Sequence, residues 1–472
     1  MAGSLVAGGV ALQPSAEQVA LSTNYITNFD FLNQYLPDTY EKEFERYGNR
    51  TISGFLRMVG AEMPSNSDLI KWAEQGRLHT KYKACTLATY TGAETVQTVT
   101  VPTAQLIPGT GAIAVRVGQT IFLTDETAGS AFSNKAIVTA VGPTGALAAN
   151  EFTVAYYEAT QAAYAAASTI TMFAYGSEFQ KGTNGMVGSL EADDLFLSNN
   201  PIILKDTYAV NGSDMAQIGW VEVTTENGAN GYLWYLKSEH ETRLRFDDML
   251  ETAMIEAVPA AVGSGATAAG FIGSEGIFSA VGARGNVWNG GFPVALADFD
   301  AIISRLDKQG AIEENAIFLD RQFGFAIDDM LAAQNSYGAG GTSYGLFDND
   351  EEMALNLGFS GFRRGYDFYK TDWKYLNDPT MRGGLVGGKI SGLLVPAGST
   401  SVYDQVLGKN AKRPFLHVRY RASQTEDRRY KTWMTGSAGG ARTSSLDAME
   451  VNFLSERAVC VMGANNFVLF QG

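Results

Sequence analysis

The residues with the most evident chemical potential are Gly341, Thr342, Ser343, Tyr344 and Gly345. They satisfy the G-x-S-x-G pattern of a serine nucleophile, and Asp404 and His417 follow in the chain order of its acid and base. Such a serine works from a strained strand-to-helix turn, which requires a buried apolar strand just before it. Ala332 to Gly340 read instead as a helix end running into a glycine loop. Chance matches are expected in a chain with 52 glycines, so a serine hydrolase using Ser343 is a remote alternative.

Gly383 to Lys389 has the spacing of a phosphate-binding loop up to its lysine, but Ile390 stands where a serine or threonine would hold magnesium. Ile390 to Val395 also reads as a strand, where a helix N-terminus would be needed, so a turn between strands accounts for the match. Asp348, Asp350 and Glu352 alternate like the start of a calcium loop. Met353 and Phe359 then replace the glycine and glutamate that such a loop requires, which leaves a solvated acidic loop. His79, His240 and His417 fall in separate segments, and His240 lacks the second histidine of a zinc helix. No catalytic, cofactor-binding or metal-binding residue is expected. Basic residues cluster from Arg419 to Lys431 around Tyr420 and Tyr430, yet Glu426 and Asp427 dilute them, so pairing between subunits is at least as good a reading as nucleic-acid contact.

The elements that would carry such residues begin with composition. The chain has 472 residues, enough for two to four domains, with 45% hydrophobic but only 18% charged residues against a usual figure of about 25%. Surface short of charge is an association hazard in a monomer and is expected where neighbours cover it. A net charge of -15 argues against tight wrapping of nucleic acid. Cys85 and Cys460 form no disulfide framework, and Met1 to Leu21 fails as a signal peptide. There is no apolar run of about 18 residues to cross a membrane. A protein made in a reducing cytoplasm, with no membrane partner, is expected.

Residues 1–22 read as an extended arm, and Phe29 to Arg57 as short helices broken near Pro37 and Gly48. Ser67 precedes a helix expected over Asp68 to Glu74, as an N-cap would. Residues 86–176 carry short β-branched runs between Gly, Pro and Asn. Five strands are read there: Thr95 to Val101, Ala112 to Thr124, Ala136 to Val141, Phe152 to Tyr157 and Ser168 to Ala174. The Ala-rich stretch Tyr156 to Ala167 is open to a helical reading. Strand runs follow at Pro201 to Tyr208 and Gly219 to Thr225. A long helix is then predicted over Tyr232 to Val258, with Leu236, Phe246, Leu250, Ala253, Met254 and Ala257 on one stripe; it would span roughly 40 Å before Pro259 ends it. Residues 259–293 read as a flexible connector. A helix (Ala297 to Lys308), a strand (Ala316 to Leu319) and a helix (Arg321 to Gln334) suggest an α/β subdomain. Later strands are read at Leu393 to Val395, Phe415 to Tyr420, Val459 to Met462 and Phe467 to Phe470.

Asp68 to His79, Tyr175 to Gly182, the long helix, Gly273 to Asn286, Asp372 to Arg382 and the ending Val451 to Phe470 stand in an order that resembles the major capsid proteins of tailed bacteriophages (Caudoviricetes), with closest likeness to those of crAss-like phages. The resemblance covers most of the chain. It implies an α+β fold of the Hong Kong 97 type, with an N-terminal arm (1–60), an extended loop (61–185) and a small all-β domain inserted in that loop (86–176). A peripheral domain (186–293) would contain the spine helix 232–258, followed by an axial domain (294–440) and a return to the peripheral domain (441–472). It further implies self-assembly into hexamers and pentamers of an icosahedral shell around double-stranded DNA, in the virion, built in the host cytoplasm. The partners implied are a portal protein, a separate scaffold protein, auxiliary or head-decoration proteins, and packaged DNA through weak non-specific contact. An encapsulin-like nanocompartment shell is the alternative within the same fold. Glu178, Lys181, Arg243, Arg245, Arg284, Arg428 and Arg429 are the candidate assembly-interface residues.

Overall fold

The computed structural model describes residues 62–76, 79–87, 92–107, 109–127, 130–159, 170–189, 194–216, 223–224, 230–231, 234–310, 312–334, 361–385, 387–404, 409–440 and 442–471. The arm and short helices expected before residue 60, the Gly341 to Gly345 loop with Ser343, and the acidic run at Asp348, Asp350 and Glu352 lie outside the described residues, as does 160–169 within the Ala-rich stretch. The chain divides into two units, Ala73–Leu197 and the remainder.

In Ala73–Leu197, β-branched runs close into a six-stranded antiparallel barrel. Its order is Lys81–Leu87, Val96–Thr100, Glu151–Tyr156, Ser133–Val141, Gln119–Asp125 and Ile170–Ser177, which returns to the first strand. Alternation drives the closure: Asn134, Ala136 and Val138 turn inward from one strand and Phe152 and Val154 from its neighbour. With Val99, Ile121, Leu123, Phe132 and Met172 they fill the interior. A closed barrel leaves no unpaired edge. Five of its strands fall on the runs read from sequence, the second shortened to Gln119–Asp125. The sixth, Lys81–Leu87, begins before the boundary read at residue 86. It buries Tyr82, Cys85 and Leu87, and its pairing shifts between Tyr82 and Cys85, where Ala84 has a φ of 53°. That bulge interrupts the two-residue period by which a strand is recognised.

The helix expected over Asp68 to Glu74 is instead a strand, Ile70–Gln75, paired with Asp194–Asn199. Ile70, Trp72 and Glu74 are partly buried while Lys71, Ala73 and Gln75 are exposed, an alternation that suits a pleat and not a helix. Ser67 caps nothing; its Oγ accepts the Leu69 N–H at 3.2 Å in a local turn.

The second unit contains two larger sheets. One has the order Glu62–Ser65, Leu416–Arg421, Ala448–Val461, Ile202–Asn211, with Lys431–Gly436 also paired to Ala448–Val461. The other has the order Asn286–Trp288, Val468–Gln471, Ile390–Pro396, Glu314–Leu319, Tyr366–Asp372, Gly361–Arg364. The second is covered on both faces, and its strand Ile390–Pro396 is buried throughout. Ile317, Leu319, Leu394, Val468 and Phe470 meet Phe299, Ile302 and Leu306 of helix Leu296–Asp307 and Phe323, Ile327 and Met330 of helix Arg321–Gln334. Phe318, Leu393, Val395 and Leu469 serve the other face, against Trp373, Ile277 and Val281. The Asp320 carboxylate accepts the Phe323 N–H at 2.6 Å and so caps Arg321–Gln334.

The long helix runs Trp234–Glu256, inside the predicted bounds, and buries Phe246, Leu250, Met254 and Ile255. Phe246 packs between Tyr430 and Phe453, with ring centroids at 5.5 and 5.8 Å. The expected connector 259–293 is a packed element over its second half. Helix Ile277–Arg284 buries Ile277, Phe278, Ala280 and Val281, and strand Asn286–Trp288 extends a sheet. Its glycines allow close approach more than looseness: a Cβ at Gly276 would lie 2.7 Å from the carbonyl oxygens of Ala257 and Ile255.

His417 is 4% exposed on strand Leu416–Arg421, opposite Cys460, with Nδ1 3.1 Å from the Pro414 carbonyl oxygen. Burial lowers its pKa to about 4; the Pro414 hydrogen bond opposes the shift and the positive Arg419 and Arg413 add to it. The unfolded chain therefore takes up this proton first. The stability contribution is complete above about pH 6.5 and is lost as the pH falls toward 4, a change on the order of 3 kcal/mol.

All six tryptophans lie outside Ala73–Leu197, so tryptophan fluorescence follows the second unit alone. In urea titrations read this way, Phe246→Ala is expected to cost about 3–5 kcal/mol and Gly276→Ala about 1–3 kcal/mol; losses under 0.5 kcal/mol would contradict the packing described. Between pH 7 and 4.5 the urea midpoint is expected to drop more steeply for the wild type than for His417→Gln. Parallel curves would place the acid sensitivity elsewhere.

Candidate functional site: surfaces for assembly

Of the residues singled out in the sequence for their chemistry, His417, Lys389, Cys85 and Cys460 are held within the folded chain. His417 is buried as above, and His79 and His240 are exposed in different parts of the chain. Lys389, the lysine of the phosphate-loop match, lies 3.5 Å from Asp320, and the following residues form strand Ile390–Pro396. Cys85 and Cys460 are buried in different units, and burial pushes each thiol up to about 12, which suppresses the nucleophilic thiolate. Among the described residues, no three His, Cys, Asp or Glu side chains are grouped to hold a metal ion, and no helix is long and apolar enough to cross a membrane.

Six of the seven charged candidates, all but Lys181, make interactions within the chain. Arg245 on the long helix reaches Asp206 at 3.1 Å, and Arg243 lies over the Tyr430 ring at 5.9 Å. Arg284 pairs with Glu275 at 2.7 Å and lies over the Trp72 ring. In the barrel unit, Glu178 accepts a hydrogen bond from Tyr157 at 2.5 Å, and Lys181 is exposed. Arg428 and Arg429 are brought together in one network. Arg428 reaches Glu456 at 2.8 Å, and Arg421 lies 3.8 Å from Glu456 while also pairing with Asp68. Glu62 pairs with Arg429 and lies 3.7 Å from Arg457. Glu62 begins the strand that runs parallel to Leu416–Arg421, so the network fastens residues 62–68 to the sheet edge. Glu62 and Glu456 are nearly buried, and each is matched by arginines, as desolvated carboxylates require. The sequence names these arginines as assembly-interface candidates, whereas the acidic partners seen within the chain, Glu62, Asp206, Glu275 and Glu456, come beside them only in the folded chain.

A second surface went unread. Ala257 to Ser274 contain no charged residue, and the segment is built rather than loose. Gly276 N–H donates to Ala257 O and Ala260 N–H to Ile272 O, both at 2.8 Å, and Ser264 Oγ accepts the Thr267 N–H to cap the turn Gly265–Ala268. On this frame Val258, Val262, Phe271 and Ile272 are 64, 100, 69 and 65% exposed. A fixed apolar projection of this kind gains free energy when a partner removes it from water. The signal was present in the sequence as an uncharged run, but its glycines and alanines suggested a linker.

No protein-family model and no curated protein matches the chain. Solved structures do show likeness. A chain of Gordonia phage Cozz is 8% identical with a TM-score of 0.40, covering 98% of each chain. The capsid structure of cyanophage P-SCSP1u is 11% identical with a TM-score of 0.35, covering 63% of this chain and 80% of that one. The holo-SrpI encapsulin complex of Synechococcus elongatus is 11% identical with a TM-score of 0.33, covering 59% and 77%.

Proposed function

We propose that the chain is the major capsid protein of a tailed bacteriophage, a shell subunit that assembles as hexamers and pentamers around double-stranded DNA in the virion. The observation that carries the reading is the uncharged, backbone-bonded projection at 257–274, which leaves Val262 fully exposed and offers apolar surface for a neighbouring copy to cover. The low overall charge and the order of the resembling segments support it. In this reading Trp234–Glu256 is the spine helix of a peripheral domain completed by the C-terminal strands. Residues 294–440 form the axial domain, and the barrel is an insertion in the extended loop. A net charge of -15 suits a container that repels packaged DNA from its wall, leaving only weak non-specific contact. A portal, a separate scaffold and auxiliary proteins complete the set of partners. Assembly would take place in the host cytoplasm, and the chain has no enzymatic role. Many modest contacts, repeated around the shell, sum to high stability.

The test is sedimentation velocity on the full chain and on the double variant Val262→Asp, Phe271→Asp. Charged side chains at these exposed positions leave the fold intact, as tryptophan fluorescence will verify. The wild type is expected to sediment as capsomers or shells and the variant as monomer. Equal assembly of the two would remove this surface as the carrier of the reading.

A further inference from the structure

The barrel carries a shallow hollow of about 480 Å³ on its outer face, broadly open to solvent, of the kind that would cover one side of an occupant and not enclose it. Thr120, Lys135, Tyr157, Glu158, Tyr175 and Glu178 are among the residues that line it. The backbone creates it. Strand Ile170–Ser177 pairs Thr120 with Gly176 and Ile121 with Ala174, so Tyr175 is the extra residue of a bulge, and bulges re-aim side chains. A Cβ at Gly176 would lie 3.1 Å from Thr120 Oγ1, so the glycine leaves space beside that hydroxyl.

Three features define what fits. Tyr157 and Tyr175 are 45 and 50% exposed, offering two aromatic faces. Thr120 is only 5% exposed, and its Oγ1 has no hydrogen-bond partner in the structure. Tyr157 donates to Glu178 at 2.5 Å, which fixes that ring and carboxylate relative to one another. Two carboxylates against one lysine disfavour phosphate, nucleic acid and acidic sugars. Lys135 offsets one of these two negative charges. The set mixes acceptors (Glu158, Glu178), a donor (Lys135) and a hydroxyl that is both (Thr120), beside aromatic faces. A polyhydroxylated ring has the complementary form, with C–H faces that lie on aromatic rings and hydroxyl edges that both donate and accept.

We propose that this hollow binds a neutral saccharide unit, making the barrel a glycan-binding module independent of the shell reading. The test is a glycan array probed with the full chain, containing neutral, sialylated and uronic-acid oligosaccharides and a basic peptide control, followed by titration calorimetry with the best neutral oligosaccharide. Neutral glycans are expected to bind, and Tyr175→Ala and, separately, Thr120→Val to weaken binding at least tenfold. Val187→Ala, 82% exposed in the same unit, is expected to leave it unchanged. Thermal melts by circular dichroism establish that each variant is folded. Absence of neutral-glycan binding, binding restricted to acidic glycans or the basic peptide, or unchanged affinity in both site variants would overturn the proposal.

Discussion

The second unit depends on where its last strands go. Ala448–Val461 is lined along one side by Ile202–Asn211 and along the other by Lys431–Gly436 and Leu416–Arg421. The chain then turns at Gly463, in the left-handed region with a φ of 60°, buries Met462, Ala464 and Phe467, and enters the other sheet as Val468–Gln471. One continuous segment thus supplies a central strand to each sheet. Neither sheet is complete until segments far apart in sequence have met, as Ile202 meets Arg457 and Asn286 meets Val468. Such non-local pairing is slow to form and cooperative once formed.

The same constraint explains the charge arrangement. An edge strand, Glu62–Ser65, closes the first sheet, and nearly buried Glu62 and Glu456 tie it there through Arg429, Arg457, Arg428 and Arg421. These arginines are occupied in holding the fold. These ties lie within the fold, while apolar side chains at 258, 262, 271 and 272 face outward as one exposed group on an uncharged segment.

Much of the architecture was legible because local periodicity and burial agree. Helix Arg321–Gln334 shows its Phe323, Ile327 and Met330 stripe in the sequence, and the long helix shows Phe246, Leu250 and Met254. Failures occurred where the local pattern misleads. Lys81–Leu87 hides its period behind a bulge, and Ile70–Gln75 follows a serine that looks like a cap. Gly276 marks close backbone contact, where a glycine-rich linker had been read. Of the candidate surfaces, the arginines were visible and their acidic partners were not, since ion pairs between distant segments leave no periodic trace. The barrel hollow was likewise hidden, because the bulge that aims Tyr175 exists only in the paired strands.

In the proposed shell, copies of this chain would cover one another's apolar surface. Electron microscopy of the purified full chain, concentrated stepwise in the presence and absence of a scaffold protein, tests it most directly. The account predicts five- and six-membered rings or closed particles of uniform diameter. Single, separate molecules at every concentration under both conditions would contradict it.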